Sequence, residues 1–407
     1  MNIVFLAKEY PPYGLNFASA LFYPRLAQAL VERGHRVHVI SQAPDGRETF
    51  QEDHGVTVHR VGPSPRSGSA LRRGLYSFNA WRRLTRLAKS ERIDLVEASA
   101  FFGEGFFCSL WKPAPLVVQS FAFSDMFLTT GSYGGFAEMV SLRISALLED
   151  VSLRRADKII ANSPATYRYV VERKAISKGR VALIWESRID LDKYRFTPSD
   201  IRTSLGISTE ALLVLYVGWL QARKGLHILA QALPQILAHV PSAVFVFLGR
   251  DTLTAPGGGS FKQYLLDQAR KQDIAGFVKI IDDFLSEEDL VKLYSACDLH
   301  VLPSLSETFG WPVVEAMACG RPVVATATGI APEMEGASPV FRVVPPGDAE
   351  ALADAIISVL AVPKEDRERL AASHRRVVEE CFSFERMVEQ LLKVYQQVIA
   401  EAKAKRR

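Results

Sequence analysis

The stretch DLHVLPSLSETFGWPVVEAMACGRPVVATA runs from Asp298 to Ala327. Its two ends, DLHVLPS and RPVVATA, are apolar runs of strand length. The middle has the spacing of a short helix. A strand, a loop, a helix and a second strand within thirty residues make a βαβ unit of a parallel sheet. Pro312 suits the first turn of the helix and Gly320 its C-terminal stop, which predicts a helix over Trp311 to Cys319. SETFG therefore sits at the carboxyl end of a strand. The amides of Phe309, Gly310, Val313 and Val314 are placed to point into a cleft. A helix start with amides and a positive dipole end is a phosphate site. Glu307 lies just outside that start, beside whatever the phosphate carries. Glu315, inside the helix, can accept hydrogen bonds from hydroxyls such as those of a ribose. Each glutamate also has a purely structural reading. Glu315 is a carboxylate near a helix N-terminus, worth about 0.3–1 kcal/mol, and Glu307 is a solvated loop acid.

The same pattern extends in both directions. NIVFLA, HRVHVIS, TVHRVG, DLVEAS, PLVVQSF and KIIANS read as strands separated by helices. After VALIWESRIDLDKYRF the alternation restarts with LLVLYVGWL, AVFVFLGR and VKIIDDF. Two successive runs of this kind imply an α/β protein of two Rossmann-like, doubly wound domains. The expected division is residues 1–187, residues 188–383 and a closing helix over 384–407 that returns to the first domain. Ligands of such sheets bind at the carboxyl ends of the strands, so a central cleft is the expected site.

The whole composition agrees with a soluble globular protein. The 407 residues are 48% hydrophobic and 23% charged, with a net charge of +4, too mild to indicate nucleic acid. Four scattered cysteines, Cys108, Cys297, Cys319 and Cys381, argue against a disulfide framework or zinc site and for a reducing cytosol. The N-terminal apolar run is too short for a signal peptide, and no uninterrupted run is long enough to span a membrane. Localisation is expected to be cytoplasmic. The most basic stretch, Ser64 to Arg92, sets eight Lys and Arg residues against one acid, Glu91. Leu75, Phe78, Trp81 and Leu84 recur among them at helical spacing. This is either a solvated helix face or, over residues 66–92, a peripheral contact with the cytosolic face of an anionic membrane. The letters DLD at Asp190 to Asp192 fit a metal-binding pair only by chance, and no Walker A, H-E-x-x-H or G-x-G-x-x-G motif is present.

SETFGWPVVEAMACGRPVVATATGIAPE resembles the two-glutamate motif of retaining GT-B glycosyltransferases, family four. Other segments resemble that family as well: YPPYGLNFASALFYPRLAQALVERGHRVHVIS, LRRADKIIANSPA, VLYVGWLQARKGLHILAQAL, VPPGDAEALADAI and FSFERMVEQLLKVY. Together they cover nearly the whole chain. The resemblance implies transfer of a sugar from a UDP- or GDP-sugar with retention at the anomeric carbon, without metal or cofactor. The acceptor would be a glycan, a lipid-linked glycan or a small molecule, as in polysaccharide biosynthesis. It implies that Glu315 binds the ribose, that Glu307 contacts the donor sugar and that Phe309 and Gly310 offer amides. Lys224 would hold the diphosphate, and Gly14 would approach it from the first domain.

Three positions depart from the family pattern. Trp219 stands where an arginine is usual, which makes Arg223 and Arg250 the candidate substitutes. Phe121 stands where many members have a histidine, leaving Gln119, Ser120 and Ser124 to supply hydrogen bonds on the acceptor side. Arg188 replaces a glycine of the interdomain linker. Trp219 and Phe121 motivate a second expectation, a non-catalytic nucleotide-sugar-binding protein. An epimerase of the same architecture is a third.

Overall fold

The computed structural model describes residues 1–13, 18–43, 46–62, 70–283 and 285–406. The chain divides into two compact units. The first comprises residues 1–128, 136–188 and 384–407, and the second residues 129–135 and 189–383.

In the first unit the described strands are β1 (Asn2–Leu6), β2 (Arg36–Gln42), β3 (Thr49–Asp53), β4 (Val56–Val61), β5 (Leu95–Ser99), β6 (Leu116–Ser120), β7 (Lys158–Ala161) and β8 (Val181–Leu183). They form one sheet in the order β3-β4-β2-β1-β5-β6-β7-β8. Every pairing is parallel except β3 with β4, a hairpin at the sheet edge that the sequence pattern had not distinguished. The helices are α1 (Ala18–Glu32), α2 (Ala70–Ser90), α3 (Phe106–Leu110), α4 (Ser124–Thr129), α5 (Phe136–Arg155) and α6 (Pro164–Arg168). Central strands such as β1, β5 and β6 are buried along almost their whole length. That is why they read as continuous apolar runs: helices cover both faces of a parallel sheet.

The second unit contains α7 (Ile201–Ser204), β9 (Leu212–Val217), α8 (Leu226–His239), β10 (Ala243–Leu248), α9 (Phe261–Lys271), β11 (Val278–Ile281), α10 (Glu287–Ala296) and β12 (Leu299–Leu302). It continues with α11 (Trp311–Ala318), β13 (Val323–Thr326), β14 (Phe341–Val344), α12 (Ala349–Leu360) and α13 (Lys364–Cys381). Its described strands form a parallel sheet in the order β11-β10-β9-β12-β13-β14. The order reverses beside β9 and β12, so the ends of these strands flank the topological switch point where ligands of such sheets bind. Asp190 and Asp192 build a local turn, with the Asp192 amide donating to Asp190 Oδ1 at 3.1 Å.

The last helix, α14 (Phe384–Arg406), belongs to the first unit. Met387, Val388, Leu391, Tyr395 and Val398 join Phe22, Tyr23 and Leu26 of α1 in one buried cluster. The Tyr395 hydroxyl donates to Glu97 of β5. Burial pushes the Glu97 carboxyl up to about 7, well above the ordinary value near ~4.3. Between those two values the folded chain holds a proton that the unfolded chain has released. Glu97 thus stabilises the fold fully only at acid pH, and its contribution is lost as the pH rises to about 7, by on the order of 3 kcal/mol. Glu97→Gln is expected to flatten that fall. Urea unfolding of wild type and variant between about pH 4 and pH 7 measures it; parallel curves would place the titration elsewhere.

Among the described residues, no helix is long and apolar enough to cross a membrane.

Candidate active site

The candidate residues of the second unit gather at the carboxyl edge of its sheet, where β9, β12 and β13 end. After β9 the chain makes a tight turn over Ala222–Lys224 and enters α8 through Gly225. After β12 it runs through Pro303 to Gly310 and enters α11. The two turns are fastened together: the Leu305 amide donates to the Arg223 carbonyl at 2.8 Å. Gly225 has φ +66°, and a Cβ there would lie 1.9 Å from the Pro303 carbonyl oxygen, so only glycine lets the turns approach this closely. Gly329, after β13, is under the same constraint. Its φ is +58°, and a Cβ would lie 2.2 Å from the Phe309 carbonyl oxygen and 2.9 Å from Glu307 Cβ.

Glu307 is the hub. Its Oε1 accepts from Lys224 Nζ and, at 2.8 Å, from Ser304 Oγ. Its Oε2 lies 3.3 Å from Arg223 Nη1, which also donates to the Ser306 carbonyl at 2.6 Å. Glu307 and Lys224 are each only 8% exposed. Burial alone would raise the Glu307 carboxyl, but the Lys224 ammonium and the Arg223 guanidinium outweigh it and hold it down at about 2. It is a fixed carboxylate at any physiological pH. A carboxylate so weakly basic, with both oxygens engaged, is a poor proton acceptor and a poor nucleophile. Its work is to hold two cations in place. The Arg223 amide donates to Ser132 Oγ at 2.8 Å, which anchors the cationic turn to the 129–135 segment.

Glu315 is the fifth residue of α11. Its Oε2 accepts from the Tyr294 hydroxyl of α10 at 2.8 Å. Tyr294 is fully buried, and burial together with the Glu315 charge keeps its phenol protonated far above the ordinary range.

The helix start differs in one respect from the sequence expectation. The Val313 amide donates to the Gly310 carbonyl at 3.0 Å. Val314 is the position whose amide a helix capped at Gly310 takes into its own ladder. Neither is a donor for a ligand. Pro312 has no amide hydrogen. Phe309 and Gly310 are left as the expected donors at this helix start. The Phe309 ring is buried and stacked on Trp311 at 4.5 Å, and its carbonyl accepts from the Ile330 amide at 2.7 Å. These contacts hold the loop's backbone in position.

The other predicted residues fall as follows. Arg223 joins Lys224 at Glu307, so a second cation stands in the cluster although Trp219 replaces the expected arginine. Trp219 is half-buried, and its carbonyl accepts from the Tyr216 hydroxyl at 2.9 Å. Arg250, after β10, is exposed and its charge acts on Asp282. Gly14 lies outside the described residues.

In the first unit, Gln119 and Ser120 end β6 at the carboxyl edge, with Gln119 Oε1 and Ser120 Oγ buried and without a hydrogen-bond partner among the described residues. Phe121 is a core residue instead of an acceptor contact. It is 6% exposed and packs edge-on against Phe22 and Tyr23 at 5.0 and 5.7 Å. Ser124 donates its amide and hydroxyl to the buried Glu149 carboxyl. The Arg188 carbonyl accepts from Arg25 Nη1 at 2.9 Å.

Three residues of the site's surroundings were not singled out from the sequence: Ser304, Tyr294 and Ser132. Ser304 closes VLPS, three residues before Glu307, and a serine at a strand's carboxyl end was the available signal. Nothing local marks Tyr294 or Ser132.

Comparison with known proteins gives the family. Residues 199–377 match the family described as glycosyl transferases group 1, and residues 22–184 match the glycosyl transferase 4-like domain. The chain is 30% identical over 391 residues to a D-inositol 3-phosphate glycosyltransferase of Geodermatophilus obscurus, covering 92% of this chain and 83% of that one. Among solved structures, sucrose-phosphate synthase from Thermosynechococcus elongatus superposes with a TM-score of 0.78 at 21% identity, over 98% of this chain and 100% of that one. Anabaena HepE in complex with UDP-glucose superposes with a TM-score of 0.72 at 22% identity, over 98% and 100%. With its two parallel-sheet units and the Lys224–Glu307–Arg223 cluster at a helix start, the chain belongs to the glycosyl transferases group 1 and is a hexosyltransferase of the GT-B fold.

Proposed function

We propose that the protein transfers a hexose from a UDP- or GDP-sugar to a glycan or lipid-linked acceptor, with retention at the anomeric carbon and without a metal. The observation that carries this reading is the convergence of Lys224 and Arg223 on one buried carboxylate at the start of α11. As the glycosidic bond breaks, negative charge develops on the leaving diphosphate. Two cations and a helix start already oriented at that spot stabilise it with little reorganisation. Glu307 holds the two cations in place and contacts the donor sugar's hydroxyls. Glu315 takes the ribose hydroxyls. The amides of Phe309 and Gly310 face the phosphates and sugar. On the acceptor side, Gln119 and Ser120 at the carboxyl end of β6 are the candidate hydrogen-bond partners. Neither glutamate is a nucleophile; the leaving phosphate is the base that deprotonates the acceptor hydroxyl. The described part of the basic stretch at 66–92 adds a peripheral contact with the cytosolic face of a membrane.

A thermal-shift panel of nucleoside diphosphates tests the donor side. One base should stabilise the chain, by about 2.7 kcal/mol at a hundred times its dissociation constant. The matching donors should then yield an axial-to-axial or equatorial-to-equatorial product by proton NMR coupling. No shift with any nucleoside diphosphate, or an inverted anomer, would contradict the reading.

A further inference from the structure

The outer face of α5 is apolar where a helix of this layer should be polar. Phe136 is 77% exposed and Leu147 67% exposed, and Val140 and Ile144 between them are exposed as well. Their spacing of four, four and three residues puts them on one stripe. The inner face is accounted for by buried Leu142, Ser145, Glu149, Ser152 and Leu153. Scattered exposed apolar residues are ordinary; four in a line along one helix are a contact surface.

The position of the stripe is informative. Glu149 accepts from the amides of Phe102 and Ser124, which follow β5 and β6. The helix at Glu149 is therefore level with the carboxyl edge of the sheet. The thirteen residues before it, back to Phe136, rise about 20 Å beyond that edge, on the side where ligands bind. Basic side chains sit on the stripe and its continuation. Arg143 stands within it and Arg154 on its continuation, both exposed. Asp150, the acid on this side, shares Lys174 with Asp125, at 2.7 and 2.6 Å. Glu138 is set off the stripe by the helical period. Aromatic and basic residues continue along the layer toward the carboxyl end of α5, where Lys112 Nζ donates to the Arg155 carbonyl at 2.9 Å. α3 packs against both α5 and α2. It leads into Trp111, 56% exposed, whose carbonyl accepts from the Trp81 indole and whose ring lies 5.4 Å from the Trp81 ring. α2 exposes Arg82, Arg86 and Lys89.

We infer that this face binds an anionic lipid bilayer, with the α5 stripe inserted among the acyl chains and the arginines at the phosphates. An apolar ridge with arginines on the same side of the helix is the arrangement of an interfacial helix. It goes beyond the basic-stretch contact by naming the inserted element. It rests on the reading of a lipid-linked acceptor, because the stripe stands on the ligand side of the sheet and would bring such an acceptor there from the membrane.

Flotation of the full chain with phosphatidylcholine vesicles, and with vesicles of roughly equal phosphatidylcholine and phosphatidylglycerol, tests it. Wild type should float with the anionic vesicles and much less with the neutral ones, and added salt should weaken binding. The pair Ile144→Glu with Leu147→Glu should lower the partition coefficient roughly tenfold or more. Phe136→Ser, at a solvent-facing position, should lower it severalfold with no change in melting temperature. Both variants should keep the nucleoside diphosphate thermal shift. The inference is overturned if the variants float like wild type, or if wild type floats with neither vesicle. It is also overturned if the stripe variants instead abolish a concentration-dependent dimer seen by size-exclusion chromatography. None of these outcomes touches donor turnover, so the failure of this inference is distinct from failure of the proposed reaction.

Discussion

Lys224→Ala is expected to lower kcat by roughly 100- to 1,000-fold, as loss of a preorganised electrostatic donor does elsewhere. The Glu307 carboxyl is held at about 2 because the Lys224 and Arg223 charges outweigh burial. Removing Lys224 takes away the larger of these two opposing charges and leaves a buried carboxylate with one cationic partner. Two consequences are separable. The leaving diphosphate loses a charge that matters most in the transition state, so kcat falls more than KM rises. The Glu307 carboxyl also rises, so the variant gains a dependence on acid pH that wild type lacks. A Lys224→Ala with Glu307→Gln double mutant should be far less impaired than the two singles multiplied together, since each single leaves an uncompensated charge. Strict multiplicativity would show that the pair does not act as a unit. Lys224→Arg is not a neutral control, because a planar guanidinium does not replace a compact ammonium at this contact.

Glu315→Ala is expected to weaken nucleoside diphosphate binding by about ten- to a hundredfold, the range for hydrogen bonds to a charged group. The variant has a side effect that must be separated from it. Tyr294 is fully buried and its hydroxyl donates to Glu315. Without that acceptor it is left unsatisfied, which costs about 1–3 kcal/mol of stability. Tyr294→Phe alone removes the hydroxyl and should leave nucleotide affinity close to wild type. The double variant should recover melting temperature over Glu315→Ala without recovering affinity. If it recovers both, Glu315 acts through packing of α10 against α11 and not by touching the ribose.

Much of this site was legible because its parts are close in sequence. Pro312 and Gly320 bracket a helix whose observed span, Trp311–Ala318, stops one residue short of the expected Cys319. The alternation of buried strands and helices also announced two parallel sheets, since strands covered on both faces have no polar face to hide. What escaped depends on pairings that local pattern does not encode. Val313 and Val314 follow the proline at the helix start, and only the position of the cap decides whose amides the helix consumes. Phe121 occupies a position where a polar residue was the family expectation. That it packs in the core follows from Phe22 and Tyr23, about a hundred residues away in sequence. Trp219 raised the question of a missing cation; that Arg223 reaches Glu307 depends on a turn closed by Gly225. The 129–135 segment lies between two helices of the first unit, yet Ser132 holds the Arg223 amide in the second. The β3–β4 hairpin escaped because an exposed edge strand carries few apolar residues to mark it.

The claim at the centre of this account is that fixed cations of the chain, and not a bound metal, take up the charge of the leaving diphosphate. It is tested most directly by measuring nucleoside diphosphate release from a panel of UDP- and GDP-sugars in the presence of EDTA, for wild type and Lys224→Ala side by side. The account predicts release by wild type at the same rate with and without the chelator, and a rate lower by roughly 100-fold or more in the variant. Release that stops in EDTA, or that proceeds equally fast without Lys224, would contradict it.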